Sequence, residues 1–179
     1  RRAYIEKKEQ ERAERERLEE IERQRATHIA AEKWKNGTPA NPMHNYALKK
    51  GLHDVYGAML LGNDLVIPFV NTMYEIMTVQ TISSSGEKRF QTNAPKMGNF
   101  CVLSGEAEPV SGVNIIPSQT DGPVFVCEGW ATGCSLRDAT GSVVIVAADA
   151  GNLMHVIGPL INARPDLELV IAADNDKYK

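Results

Sequence analysis

Three apolar runs in the second half of the chain each end in an acid. Glu128 closes PVFVCE (123–128), Asp149 closes SVVIVAAD (142–149) and Asp174 closes LELVIAAD (167–174), with Asp176 two residues further on. The carboxyl ends of buried strands are where functional groups collect in open α/β sheets. Taken singly, each acid can also be a turn former or a helix N-cap. Asp149, followed by Ala-Gly-Asn-Leu, fits that role well. The Asp174-Asn175-Asp176 triplet is harder to explain that way, because two carboxylates so close converge only against their mutual repulsion. A hard divalent cation offsets the repulsion, and carboxylate oxygens at about 2.0–2.1 Å are what Mg²⁺ takes. Glu128 could meet the pair across a sheet edge. No His/Cys cluster argues for zinc, since His28, His44, His53 and His155 are scattered.

The elements that must position these acids can be read from pattern. The three runs are near-continuous Val/Ile/Ala stretches rather than alternating ones, which predicts strands covered on both faces, as in a parallel sheet. WATGCSLRDAT and GNLMHVIGPLINARPD lie between them and read as helices, so the second half is β-α-β-α-β with right-handed crossovers. Pro159 is expected to kink or shorten the second helix. Upstream, DLVIPFV (64–70) and YEIMTVQTI (74–82) predict two short strands, and SSSGEKRF a turn into a third.

The opening stretch is dense in Glu, Arg, Lys and Ala, all good helix formers. Glu11–Arg15 and Glu19–Arg23 sit at i,i+4, and Glu14–Arg17 and Glu22–Arg25 at i,i+3, each pair worth a few tenths of a kcal/mol. Ile5, Leu18, Ile21 and Ile29 are sparse for a heptad seam, so a solvated helix is favoured over a coiled-coil dimer. Asn36-Gly37-Thr38-Pro39 supplies the stop. The expected organisation is a charged helical linker over 1–36, a β-rich subdomain over 40–118 and an α/β core over 119–179.

The chain's 179 residues are 42% hydrophobic and 24% charged, which suits one globular domain with an appendage. No run approaches the roughly 18–20 apolar residues of a membrane span, and no signal peptide is visible. Cys101, Cys127 and Cys134 are odd in number and lie in or beside apolar segments, so they read as reduced and packed, and the compartment as cytoplasmic. Net charge is −3, so any nucleic-acid surface must be a local patch rather than a global field.

Together, CEGWATG (127–133), DAGNL (149–153) and AADND (172–176) resemble the Toprim domain of DNA primases of the plasmid and satellite-phage type, which carry Glu-Gly-Tyr-Ala-Thr, Asp-Ala-Gly-Asn-Leu and Asp-x-Asp elements. Trp130 stands for the common Tyr and Gly133 for the common Ala. HNYALKKGL (44–52) is similar to the family's His-Pro-Tyr-Leu-x-x-Lys-Gly element, with Asn45 for the proline. LVIPFVNTMYEIMTVQTISSSGEKRF (65–90) resembles its hairpin, and APKMGNFCVLSG (94–105) takes the place of a Gly-rich stretch before the core. The resemblance implies a Rossmann-like, mostly parallel α/β sheet with flanking helices, preceded by a small β-rich α+β subdomain and a long charged helix.

It further implies metal-dependent synthesis of short RNA primers on single-stranded DNA during phage or plasmid replication. Glu128, Asp174 and Asp176 would hold Mg²⁺ (or Mn²⁺) at the catalytic centre, with Asp149 a further metal candidate. Lys88, Arg89 and Lys96 would contact phosphates, with Phe90 stacking or packing beside them. Gly129 would let the backbone pass close to phosphate, and Thr132 would cap the first helix or bond a ligand. The implied partners are a single-stranded template, ribonucleoside triphosphates and a helicase domain in the parent chain or as a separate protein. The Toprim fold usually continues beyond its Asp-x-Asp, so the sequence is expected to be a piece of a larger primase or primase–helicase. The same acids serve metal-dependent nucleases, and a DNA-binding module without catalysis is the remaining alternative.

Overall fold

The computed structural model describes residues 2–108 and 111–173, which form four α-helices and nine strands. Helix α1 (Arg2–Lys35) is the expected charged helix. Glu14–Arg17 and Glu22–Arg25 pair as anticipated, whereas Arg15 turns to Glu19 and Arg23 to Glu20. The helix is not solvated throughout. Ala26, Ala30 and Trp34, spaced i, i+4, i+8, are buried against the first sheet, and the Trp34 indole donates to the Ser111 carbonyl at 3.1 Å. The last turns of this helix, from Ala26 to Trp34, are therefore docked on the body. Gly37 ends it where a Cβ would come within 2.7 Å of the Met59 Cβ, so only glycine fits the approach.

From there the chain enters β1 (Thr38–Pro39), α2 (Asn45–Lys50), β2 (Met59–Leu61), β3 (Asp64–Val70), β4 (Ile76–Ile82) and β5 (Lys88–Phe90). The strands form an antiparallel sheet in the order β1-β2-β3-β4-β5. The predicted strands at 64–70 and 74–82 are present, the second starting two residues late. Asn71 causes the delay: its Oδ1 accepts from the Met73 and Glu75 amides, and Tyr74 turns to φ +61 before pairing begins.

The second sheet holds β6 (Cys101–Leu103), β7 (Val124–Cys127), β8 (Val144–Val146) and β9 (Leu169–Ala172), in the order β6-β8-β7-β9. β7 runs parallel to both β8 and β9, as the continuous apolar runs predict, and β6 adds an antiparallel edge. The architecture is α/β with one antiparallel and one mixed sheet. The sheets touch through paired bonds between Val70 and Phe100, at 2.7 and 3.0 Å. Both helices of the βαβαβ segment, α3 (Trp130–Thr140) and α4 (Ala150–Ala163), are present.

Alternate residues of β7 enter two different cores. Val124 and Val126 join Val156, Ile157 and Leu160 of α4, while Cys127 joins Trp130 and Cys134 of α3. Pro159 does not shorten α4, which continues to Ala163. Three buried side chains at about 1.5–3 kcal/mol each outweigh an interior proline at about 3 kcal/mol. All three cysteines are buried, and burial pushes the Cys101 and Cys134 thiols well above their ordinary range. Among the described residues no helix is long and apolar enough to cross a membrane.

Candidate active site at the carboxyl ends of the strands

β7 is the inner strand of the parallel set. Its register aligns Cys127 with Val146 on one side and Ala172 on the other, so the three strands finish level and Glu128 leaves the sheet between its neighbours. The Ala147 amide donates to the Cys127 carbonyl at 2.8 Å, extending the pairing up to this edge. Glu128 is half-buried and has no hydrogen-bonding or ionic partner among the described residues. Asp174 and Asp176 lie outside the described residues. Among those described, no group of three His, Cys, Asp or Glu side chains is arranged to hold a metal ion.

Helix α3 begins immediately after Glu128. Gly129 is its N-cap, and no side chain caps the first turn, so Thr132 does not take the capping role expected for it. Uncapped first-turn amides carry the positive end of the helix dipole towards the Glu128 side of the sheet. Gly129 has φ −98, and a Cβ there would lie an ordinary 3.5 Å from the Thr132 hydroxyl. Nothing inside the chain therefore demands glycine at 129. Gly133 is the opposite case: a Cβ there would come within 2.8 Å of Val146 and 2.9 Å of Leu103. Its missing side chain lets α3 lie close on β6 and β8, which gives glycine at this position a packing reason. Trp130 is buried and stacks on Tyr46 of α2 at 6.4 Å between ring centres, tying the first sheet's helix to the second sheet. The Trp130 Nε1 and Tyr46 hydroxyl are both buried with no hydrogen-bond partner among the described residues.

Asp149 is the N-cap of α4, and its Oδ1 accepts from the Asn152 amide at 3.0 Å. Ala148 before it stands at φ +79, strained for a residue with a Cβ. The other oxygen, Oδ2, accepts from the Lys96 ammonium, and that bond holds the Asp149 carboxyl below the usual carboxylate range. The structure thus brings together two residues that the sequence reading assigned separately, one to metal and one to phosphate. Lys96 also lies 5.7 Å from the centre of the Phe90 ring, which packs edge-on against Phe69. Lys88 sits 5.8 Å over Tyr46, and Arg89 pairs with exposed Glu87 at 2.7 Å. Lys88, through Tyr46, and Lys96, through Phe90, therefore border the side of the molecule on which α2 and α3 meet, whereas Arg89, the alternate residue of β5, lies near Lys33 of α1.

One residue of this region was missed by sequence reasoning. Asn152, buried in the first turn of α4, donates through Nδ2 to the carbonyls of Ala147 at 2.8 Å, Asn99 at 3.0 Å and Lys96 at 3.3 Å. Its Oδ1 accepts from the Gly98 amide at 2.7 Å. The available signal was an amide side chain following a helix-capping aspartate, but three of its side chain's four partners lie more than fifty residues away.

No family model matches the sequence, and no solved structure matches it. Among curated proteins, the chain is 30% identical over 135 residues, 74% of its length, to a DNA primase TraC of Escherichia coli. It is 31% identical over 135 residues to a second DNA primase TraC of Escherichia coli. The chain spans 9% and 12% of those relatives' own lengths. Homology over three-quarters of the chain supports a primase-related family for this protein.

Proposed function

We propose that the chain carries the catalytic site of a DNA primase of the Toprim type, which synthesises short RNA primers on single-stranded DNA. The similarity to DNA primase TraC carries this reading. Supporting it is the position of Glu128 at the level end of three parallel strands, beside an uncapped helix N-terminus. In this reading Glu128, Asp174 and Asp176 hold Mg²⁺ (or Mn²⁺). The donor chemistry fits: Glu128 offers hard carboxylate oxygens without a competing cation among the described residues, whereas Lys96 already matches Asp149. When bound, the metal would orient the nucleotide phosphates and offset charge at the transferring phosphoryl group.

The chain's own residues bind and orient. Lys88, Arg89 and Lys96 offset the acids' repulsion of template and nucleotide. Gly129 leaves room for a phosphate against backbone, and the exposed Thr132 hydroxyl in the first turn of α3 bonds it. A helicase domain would come from elsewhere in the parent chain or from a partner.

The test is incorporation of labelled ribonucleotides on single-stranded DNA by the whole parent protein, with Mg²⁺ or Mn²⁺. Oligoribonucleotides from the wild type that disappear in Glu128→Gln and in Asp174→Asn/Asp176→Asn support the proposal. A folded parent that cuts the template instead is a nuclease. One that binds DNA unchanged in Glu128→Gln, without incorporation, is a binding module, and either result overturns the primase reading.

A further inference from the structure

The buried Asn152 side chain joins parts of the molecule far apart in sequence. Its amide nitrogen bonds the end of β8 at Ala147 and two carbonyls of the 96–99 turn, and its oxygen takes the Gly98 amide. Gly98 stands at φ +77, and the turn is closed by the Asn99 amide on the Lys96 carbonyl at 3.1 Å. The backbone of Lys96 is therefore held from the core by one side chain that is itself fixed in α4. The Lys96 side chain extends from this anchor to Asp149, and both side chains remain substantially solvent-accessible, at 39% and 47%. An exposed ion pair of this kind contributes little by itself, so the pairing does not explain why the turn is so firmly built. A buried amide with every polar atom matched is the more rigid part of the arrangement.

We infer that Asn152 is a positioning residue: by fixing the 96–99 turn to the end of β8, it holds the Lys96 ammonium at the carboxyl edge of the sheet, where Lys96 takes a phosphate group. This rests on the primase reading for the identity of the ligand, since the phosphate could belong to single-stranded DNA or to a nucleoside triphosphate. Lys96 would exchange its Asp149 partner for the phosphate, keeping its charge matched throughout. Asn152 touches no ligand, and its effect passes wholly through Lys96.

The test uses a fluorescent oligothymidylate and ATP as separate probes, with wild type, Asn152→Ser, Lys96→Gln and the double variant. Loss of one charge-assisted bond corresponds to about tenfold weaker binding. The inference expects that loss in Lys96→Gln, a comparable loss in Asn152→Ser for the same probe, and no further loss in the double variant. The probe that weakens identifies the phosphate's source. Losses that multiply overturn the inference, because Asn152 would then act independently of Lys96.

Acylation of Lys96 by an N-hydroxysuccinimide ester, read by peptide mass spectrometry, needs no ligand. Asn152→Ser should change the rate at Lys96 severalfold and leave Lys50 unchanged; equal rates at Lys96 overturn the positioning role. If neither probe binds wild type, the phosphate reading fails while the acylation rates still decide the positioning. Should Asn152→Ser not fold, hydrogen exchange in the wild type decides it. The Gly98 amide, bonded to Asn152 Oδ1, should exchange as slowly as the Ala147 amide in the sheet, and free exchange at Gly98 overturns the inference.

Discussion

Lys96 and Asp149, 53 residues apart in the chain, form an ion pair across the junction between the first sheet's trailing loop and the N-terminus of α4. Asp149 does two things there, capping the helix with one oxygen and matching Lys96 with the other. The two roles separate by substitution and by pH.

Asp149→Asn keeps an oxygen for the cap and loses the charge. In metal-free buffer at pH 7 the cost should be under about 1 kcal/mol, because the pair is well exposed. Asp149→Ala should lose the cap as well, for about 1 kcal/mol more. The pH sign follows from the lowered carboxyl: its contribution is complete above the unfolded value near ~3.9 and is lost as pH falls through the folded one. Urea melts from pH 7 to pH 2.5 should show a flatter acid limb in Asp149→Asn than in wild type.

Gly133→Ala forces a methyl into contacts of 2.8 and 2.9 Å with Val146 and Leu103. Overpacking of this kind costs about 1–3 kcal/mol, against a helix-propensity gain of at most about 1 kcal/mol. The net effect should be a lower urea midpoint with an unchanged slope. A raised midpoint would mean that α3 can lift from the sheet freely.

Tyr46→Phe removes a hydroxyl that is buried with no hydrogen-bond partner among the described residues, while keeping the ring stacked on Trp130. It should be neutral or stabilising by about 1 kcal/mol. Trp130→Ala, which empties the centre of that core, should cost about 3–5 kcal/mol. Thermal melts of both variants check the contrast.

Trp34→Ala should cost about 3–5 kcal/mol by the same cavity argument, since the indole is buried and bonded to Ser111. Removing residues 2–20, of which 4–20 are all exposed, should leave the melting temperature of the body unchanged. Matching melts with and without that segment, beside a lowered one for Trp34→Ala, would locate the end of the docked region.

Much of this architecture was legible locally. Continuous Val/Ile runs predicted β7, β8 and β9 because a strand covered on both faces needs apolar residues at every position. Asp149 before Ala-Gly-Asn-Leu announced a helix start for a reason that lies within one turn. Glu128 was found by its place at the end of such a run, a purely linear signal.

What the linear order could not supply were relations between distant segments. β6 is three residues inside a loop-like stretch, and only its pairing with β8 makes it a strand. The docking of Ala26, Ala30 and Trp34 needs a sheet to receive them, and α4 survives Pro159 because its neighbours are buried on the second sheet. Asn152 reads as an ordinary polar helix residue until the 96–99 turn arrives to be bonded. Periodicity and capping are set by residues a few positions apart and so are written in the chain. The partners of Lys96, Asn152 and Trp130 are set by which surfaces meet, and the fold alone chose those.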